Sequence, residues 1–281
     1  MRILQRVARG AADALGNESG VIRMARPIYE HALALLGRGN GIPWTINGAE
    51  FQIDPRHRHR MGQVYDADVA AMLARHVRPG STVLDVGANV GVYALQFARW
   101  TGRQGRVVAF EPNPVAAEVL AQHVRMNGLT ERIEIVREAV ADVAGIQTFH
   151  MAGADGMSRL GAPNPEIANS TCSTPVRVTT LDEFCDQRAL SPDWLLIDVE
   201  GFEFAVLAGA RRTLARLGAR LNVIVEMHPD AWDNAGWSRS SGEVLLNQLG
   251  RIPVSLSGKG DPLESYGHVV LRPGMPRNGG A

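Results

Sequence analysis

The segment Val83-Leu84-Asp85-Val86-Gly87-Ala88-Asn89-Val90-Gly91 runs an apolar strand into a glycine turn, and a helical pattern follows at once. A strand that ends this way opens a doubly wound α/β sheet, whose ligands sit at the carboxyl ends of the strands. Gly87 lets the backbone turn tightly, and Gly91 lets the helix start close to the ligand and the sheet. The spacing is Gly-x-x-x-Gly, without the further glycine of the Gly-x-Gly-x-x-Gly turn that seats a pyrophosphate. This counts against a nicotinamide oxidoreductase and for a nucleoside with an amino-acid tail.

Downstream the chain alternates. Strands are predicted at 82–86, 107–110, 133–136, 194–199 and 223–227, and helices at 90–100, 114–127 and 202–217. In the last helix Leu207, Ala210, Leu214, Leu217 and Leu221 recur at steps of three and four, which makes one apolar stripe. Right-handed strand–helix–strand crossovers give a parallel sheet covered on both faces. Two late apolar runs, 253–256 and 268–271, read as a closing hairpin. The predicted α/β fold is therefore Rossmann-like, a mostly parallel seven-stranded sheet with an antiparallel edge hairpin. It follows an N-terminal helical and hairpin extension, in which Asn47-Gly48 between Trp44-Thr45-Ile46 and Phe51-Gln52-Ile53 signals a two-residue turn. A helix at 66–77, with Val69, Met72, Leu73 and His76, leads into the turn Arg78-Pro79-Gly80. The expected division is 1–64 as extension, 65–272 as the main domain and 273–281 as a disordered tail. The stretch 153–174, rich in Gly, Ala, Pro, Asn and Ser, is predicted to be a loop.

A chain of 281 residues can hold one such domain with a sizeable core. Lys plus Arg and Asp plus Glu number 29 each, a neutral balance that argues against a nucleic-acid partner. The basic run Arg56-His57-Arg58-His59-Arg60 reads as a solvated loop. Cys172 and Cys185 lack metal-ligand spacing and read as free thiols in a reducing cytoplasm. Residues 1–36 carry apolar positions at helical spacing, broken by Arg2, Arg6, Arg9, Arg23 and Arg26, and never reach the ~18 residues of a membrane span. A soluble cytoplasmic protein is the expectation, with amphipathic membrane contact by this segment as the alternative. A homodimer is left open.

Twenty residues beyond Gly91, the second strand ends in Glu111, before Pro112-Asn113-Pro114. A carboxylate there can accept both ribose hydroxyls of a nucleoside. The third strand ends at Glu138-Ala139-Val140, followed by Asp142, where the same topology offers a small apolar edge and a backbone amide to adenine. Asp85, Gly87, Ala88, Asn89 and Gly91 complete the expected donor seat.

The segments 84–91, Phe110-Glu111-Pro112-Asn113, Thr180-Leu181-Asp182, Ile197-Asp198-Val199-Glu200-Gly201-Phe202-Glu203 and Val225-Glu226-Met227-His228 together resemble the FkbM family of methyltransferases. The resemblance runs from about Tyr65 to His228. It implies a class I methyltransferase fold, S-adenosylmethionine as donor, and a hydroxyl on a sugar, glycan or natural-product small molecule as acceptor. It does not fix which acceptor.

The fourth and fifth strands end in Asp198 with Glu200 and in Glu226 with His228. Residues two apart on a strand share a face, so these four are expected to converge beside the methyl group as the catalytic set. Transfer to an alcohol needs proton removal, by a positioned base or by a metal that acidifies the hydroxyl. His228 as base, or an acid in its place, is favoured over a divalent cation such as Mg²⁺ held by Asp198 and Glu226, with or without His228. Glu203 is expected only to cap the helix starting at Gly201. His57 and His59 are alternative bases, Tyr65, Asp66 and Asp68 candidates to close the site, and Ser158 and Arg159 part of an acceptor lid. Against this stand a base-modifying nucleic-acid methyltransferase, whose Asn/Asp-Pro-Pro-aromatic motif is missing, and a non-catalytic adenosylmethionine-binding protein.

Overall fold

Val83, Leu84, Asp85 and Val86 are all buried, as are Trp194 to Ile197, so these two strands must be covered on both faces. The computed structural model describes residues 20–37, 39–151, 158–161, 172–258 and 260–274, and every structural statement below concerns these. Arg2, Arg6 and Arg9, most of the 153–174 stretch and the tail beyond 274 lie outside them.

The elements follow in this order. Helix α1 (Gly20–Leu36) precedes a hairpin of β1 (Ile42–Ile46) and β2 (Ala49–Ile53), then a 3-10 helix (Pro55–Arg60) and α2 (Ala67–His76). Next come β3 (Thr82–Val86), α3 (Val92–Thr101), β4 (Arg106–Phe110), α4 (Pro114–Met126) and β5 (Ile133–Val136). Four short strands follow, β6 (Ala139–Val140), β7 (Gly145–Met151), β8 (Arg159–Leu160) and β9 (Cys172–Thr179), then α5 (Leu181–Gln187) and β10 (Trp194–Ile197). The chain continues with α6 (Glu203–Ala208), α7 (Arg211–Leu217), β11 (Asn222–Met227), a 3-10 helix (Pro229–Ala235), α8 (Arg239–Gln248), β12 (Arg251–Ser255) and β13 (Gly267–Pro273).

Seven strands form the main sheet in the order β12-β13-β11-β10-β3-β4-β5. Pairing is parallel from β11 through β5 and antiparallel where β13 meets β11 and β12, which is the expected fold. The chain leaves β3 towards β4 and later returns to β10 on the other flank, so the strand order reverses between β3 and β10. Alternate side chains feed two cores. Val83 and Val107 pack with α3 and the N-terminal hairpin, whereas Leu84, Val86 and Phe110 pack beneath α5 to α8. Asn47 and Gly48 both take positive φ, as a type I′ hairpin turn requires. Ile42, Ile46 and Ile53 of that hairpin join the core that holds Phe97 and Leu120.

Three expectations need correction. The helix expected at 202–217 is two helices, broken at Gly209-Ala210. Asp182 enforces the break: its carboxylate accepts the amides of Arg212 and Thr213, capping α7, while its own amide donates to Gly209 O. A second, four-stranded sheet, β6-β9-β7-β8, was not expected; it borders the 153–174 stretch, of which only 159–160 and 172–174 fall in its strands. Pro175 within β9 and the short β6 and β8 hid it. The basic run 56–60 is a capped 3-10 helix, with Asp54 accepting from Arg56 N and Arg58 reaching Glu30 of α1. Cys172 and Cys185 are free thiols, and among the described residues no helix is long and apolar enough to cross a membrane.

Candidate functional site

The carboxyl ends of β3, β4 and β10 meet at a cavity. At its floor Gly87 holds φ near +90°, and a Cβ there would lie 1.7 Å from Asp198 O. Only glycine permits this contact, which brings the β3 turn directly onto the end of β10. The amides of Gly87 and Ala88 both donate to Phe110 O at 3.0 Å, tying the same turn to β4.

Glu111 is buried and faces the cavity. Asn89 N donates to its Oε2 at 2.7 Å and Asn113 N to its Oε1 at 2.8 Å. Burial pushes its carboxyl up to about 7, against the pull of those two amides. Asp85 is pushed to about 7 as well, by burial and by the charge of Glu111. Its Oδ2 is buried without a hydrogen-bond partner, as is Asn89 Oδ1, so both have hydrogen-bonding capacity left over. Ala88, Pro112, Asn113, Glu138, Ala139 and Val140 also line the cavity. Gly91 does not: a Cβ there would meet Leu120 Cδ1 at 2.4 Å, so its tight contact is with α4.

Beyond β10 the chain turns through Glu200 and Gly201, at φ +53° and +103°. A Cβ on Gly201 would lie 2.6 Å from Ala231 Cβ, so the turn rests against the 3-10 helix after β11. The turn delivers Glu203, which is fully buried. Its Oε1 accepts from Gly201 N at 2.7 Å and from His228 Nδ1 at 2.9 Å, and its Oε2 from Trp232 Nε1 at 2.7 Å. Glu203 is thus far more than a helix cap. A carboxylate accepts only, so the Nδ1 proton is fixed and Nε2 points to Glu200, 3.7 Å from its Oε2. Burial opposes the imidazolium, but Glu203, then Glu200 and Asp198, prevail and lift His228 to about 9.

Asp198, Glu200 and Glu226 line the cavity, whereas His228 stands behind them. One ligand atom each from Asp198, Glu226 and His228 lies within 4.8 Å of the others. Burial and then the charge of Glu226 raise the proton affinity of Asp198, with His228 opposing. The hydroxyl of Tyr266 donates to Glu226 Oε1, and His268 Nε2 lies 3.8 Å from Glu226 Oε2. Sequence reasoning missed both. The signal lay in the strand pairing, since β13 sets His268 directly opposite Glu226.

Tyr65, Ser158 and Arg159 reach the cavity, but Asp66, Asp68, His57 and His59 do not line it. Asp66 instead accepts from Tyr93 Oη, and burial, reinforced by Arg60 and His123, holds His57 down at about 4. Arg60, from the run expected in solvent, is in the cavity wall.

The family described as "Methyltransferase FkbM domain" matches residues 85–261. Ribosomal protein L11 methyltransferase of Pelotomaculum thermopropionicum is 41% identical over 66 residues, 24% of this chain and 21% of that protein. Methyltransferase sdnD of Sordaria araneosa is 26% identical over 195 residues, 60% of this chain and 72% of that protein. Among solved structures, methyltransferase FkbM from Methylobacillus flagellatus has 14% identity and a TM-score of 0.45, covering 68% of this chain and 43% of that one. The chain therefore spans about a fifth of the first relative's length and less than half of the Methylobacillus chain's.

Proposed function

The chain belongs to the FkbM methyltransferase domain family, and on that premise we propose that it transfers a methyl group from S-adenosylmethionine to a hydroxyl of a sugar, glycan or natural-product small molecule. The observation that carries the donor assignment is Glu111, pinned by two backbone amides beside the Gly87 turn with its carboxylate in the cavity. That carboxylate can grip a ribose, and Ala139 and Val140 offer an apolar edge to adenine. The leftover acceptor on Asp85 suits the donor's ammonium. Six carboxylates line the cavity (Asp85, Glu111, Glu138, Asp198, Glu200 and Glu226), which favours a cationic ligand.

When bound, the donor supplies a methyl group activated by a sulfonium. The chain's own task is to align the acceptor and take its proton. Burial, and then the charge of Glu226, raise the proton affinity of Asp198, and its carboxylate is the base. Raised proton affinity suits that role, because a base works best with a pKa near the operating pH. His228, charged at neutral pH and fixed by Glu203, opposes protonation of Asp198. His228 thus acts as the tuning cation, and Asp198 is the acid in its place as base.

The pH dependence of kcat/KM tests this division. In His228→Gln the cation that lowers the proton affinity of Asp198 is gone, so the acidic limb moves to higher pH. Loss of that limb altogether would make His228 the base. Transfer of labelled methyl into a base-stable ether tests the reaction itself. Methyl found on nitrogen of protein or RNA would overturn the hydroxyl assignment.

The spacing of Asp198, Glu226 and His228 also supports a second reading, a divalent cation, with Glu203 orienting His228 as carboxylates orient metal-bound imidazoles. Two carboxylates and an imidazole suit a borderline ion better than Mg²⁺. On the base account, EDTA leaves turnover unchanged; abolition by EDTA with recovery on adding metal would establish the cation instead.

A further inference from the structure

We propose that Arg60 binds the α-carboxylate of the donor's amino-acid end, so that the N-terminal extension supplies part of the donor site; this rests on the donor reading above. Arg60 lies ahead of the matched family region, yet it lines the same cavity as Gly87 to Val90.

The residues around it fix its side of the cavity. Trp44 Nε1 donates to Met61 O, immediately after Arg60. Asn47 Oδ1 accepts from Tyr65 N at 3.0 Å, and Asn47 Nδ2 donates to Gln96 Oε1 of α3 at 3.0 Å. The edge of the Tyr65 ring meets Tyr93, also on α3. The segment carrying Arg60 is therefore clamped to α3, the helix that starts just after the glycine turn.

Strand order then orders the ligand. Adenine belongs at the β6 edge by Ala139 and Val140, ribose at the end of β4 by Glu111, and the reacting centre by Asp198 at the end of β10. Strand β3 lies between β4 and β10, so the remaining amino-acid tail falls over Gly87 to Asn89, towards α3. A wall so rich in acids repels a carboxylate unless a cation meets it. The other guanidinium lining the cavity among the described residues, Arg159 of β8, interacts with Glu200 beyond the end of β10. Arg60 is on the correct side, and a guanidinium can take a carboxylate through two parallel N–H donors.

The test is calorimetry with S-adenosylmethionine and with its decarboxylated analogue, which keeps the sulfonium and ammonium but lacks the carboxylate. We expect Arg60→Ala to weaken S-adenosylmethionine binding by roughly 10–100-fold, as for loss of a charged hydrogen-bonded pair. Its affinity for the decarboxylated analogue should match that of the wild type, which also shows that the variant is folded. Arg60→Lys, retaining the charge without the fork, should fall between. Equal losses for both ligands, or no loss for either, would overturn the role of Arg60. A wild-type protein that binds neither ligand would overturn the donor reading itself.

Discussion

An Asp198→Asn enzyme turns over about 10²–10⁴-fold more slowly than the wild type, the usual contribution of a positioned base. Its S-adenosylhomocysteine affinity stays within a few-fold. Asparagine keeps the size of aspartate, and the Asp198 amide still donates to Val86 O, so the strand end is undisturbed. What is lost is the oxygen that burial and Glu226 have made an avid proton acceptor. Single-turnover rates alongside calorimetry separate the two effects. A rate within a few-fold of wild type would remove Asp198 from the chemistry.

The second large effect is structural. Gly87→Ala places a methyl group 1.7 Å from Asp198 O, at a φ of about +90° that alanine rarely adopts. Backbone strain costs about 1–3 kcal/mol, and overpacking typically adds about 1–3 kcal/mol. In a domain of this size each kcal/mol shifts Tm by about 2–4 °C, so a fall of roughly 5–20 °C is expected. Because the clash is with backbone at the cavity floor, the surviving folded protein also loses S-adenosylhomocysteine binding. Gly128→Ala is the comparison: φ there is +62°, but nothing lies within 4 Å of the added carbon. Its fall in Tm should be smaller and its binding intact. Thermal melts that place the two variants together would mean the Gly87 contact is not tight.

The main sheet was legible because its signals are local. Val83 to Gly91 contains a strand, a turn and a helix start in nine residues, and Asn47-Gly48 specifies its own hairpin turn. The convergence of Asp198, Glu200 and Glu226 followed from strand ends in a doubly wound sheet. The misses depend on contacts distant in sequence. Glu203 looks like a helix cap until His228 and Trp232 close on it from 25 and 29 residues away. Arg60 looks like one charge in a solvated run until Asn47 and Gln96 clamp the following segment to α3. The break in the 202–217 helix is set by Asp182, some thirty residues earlier, while the apolar stripe itself continues through it and stays buried.

Titration calorimetry with S-adenosylhomocysteine on the wild type and on Glu111→Gln bears most directly on the donor seat. A glutamine there cannot accept from both Asn89 N and Asn113 N and still present two oxygens to a ribose. The account requires saturable binding by the wild type, a loss of about 10-fold or more in the variant, and no heat from NADH. Silence with S-adenosylhomocysteine, or NADH binding in its place, would contradict it.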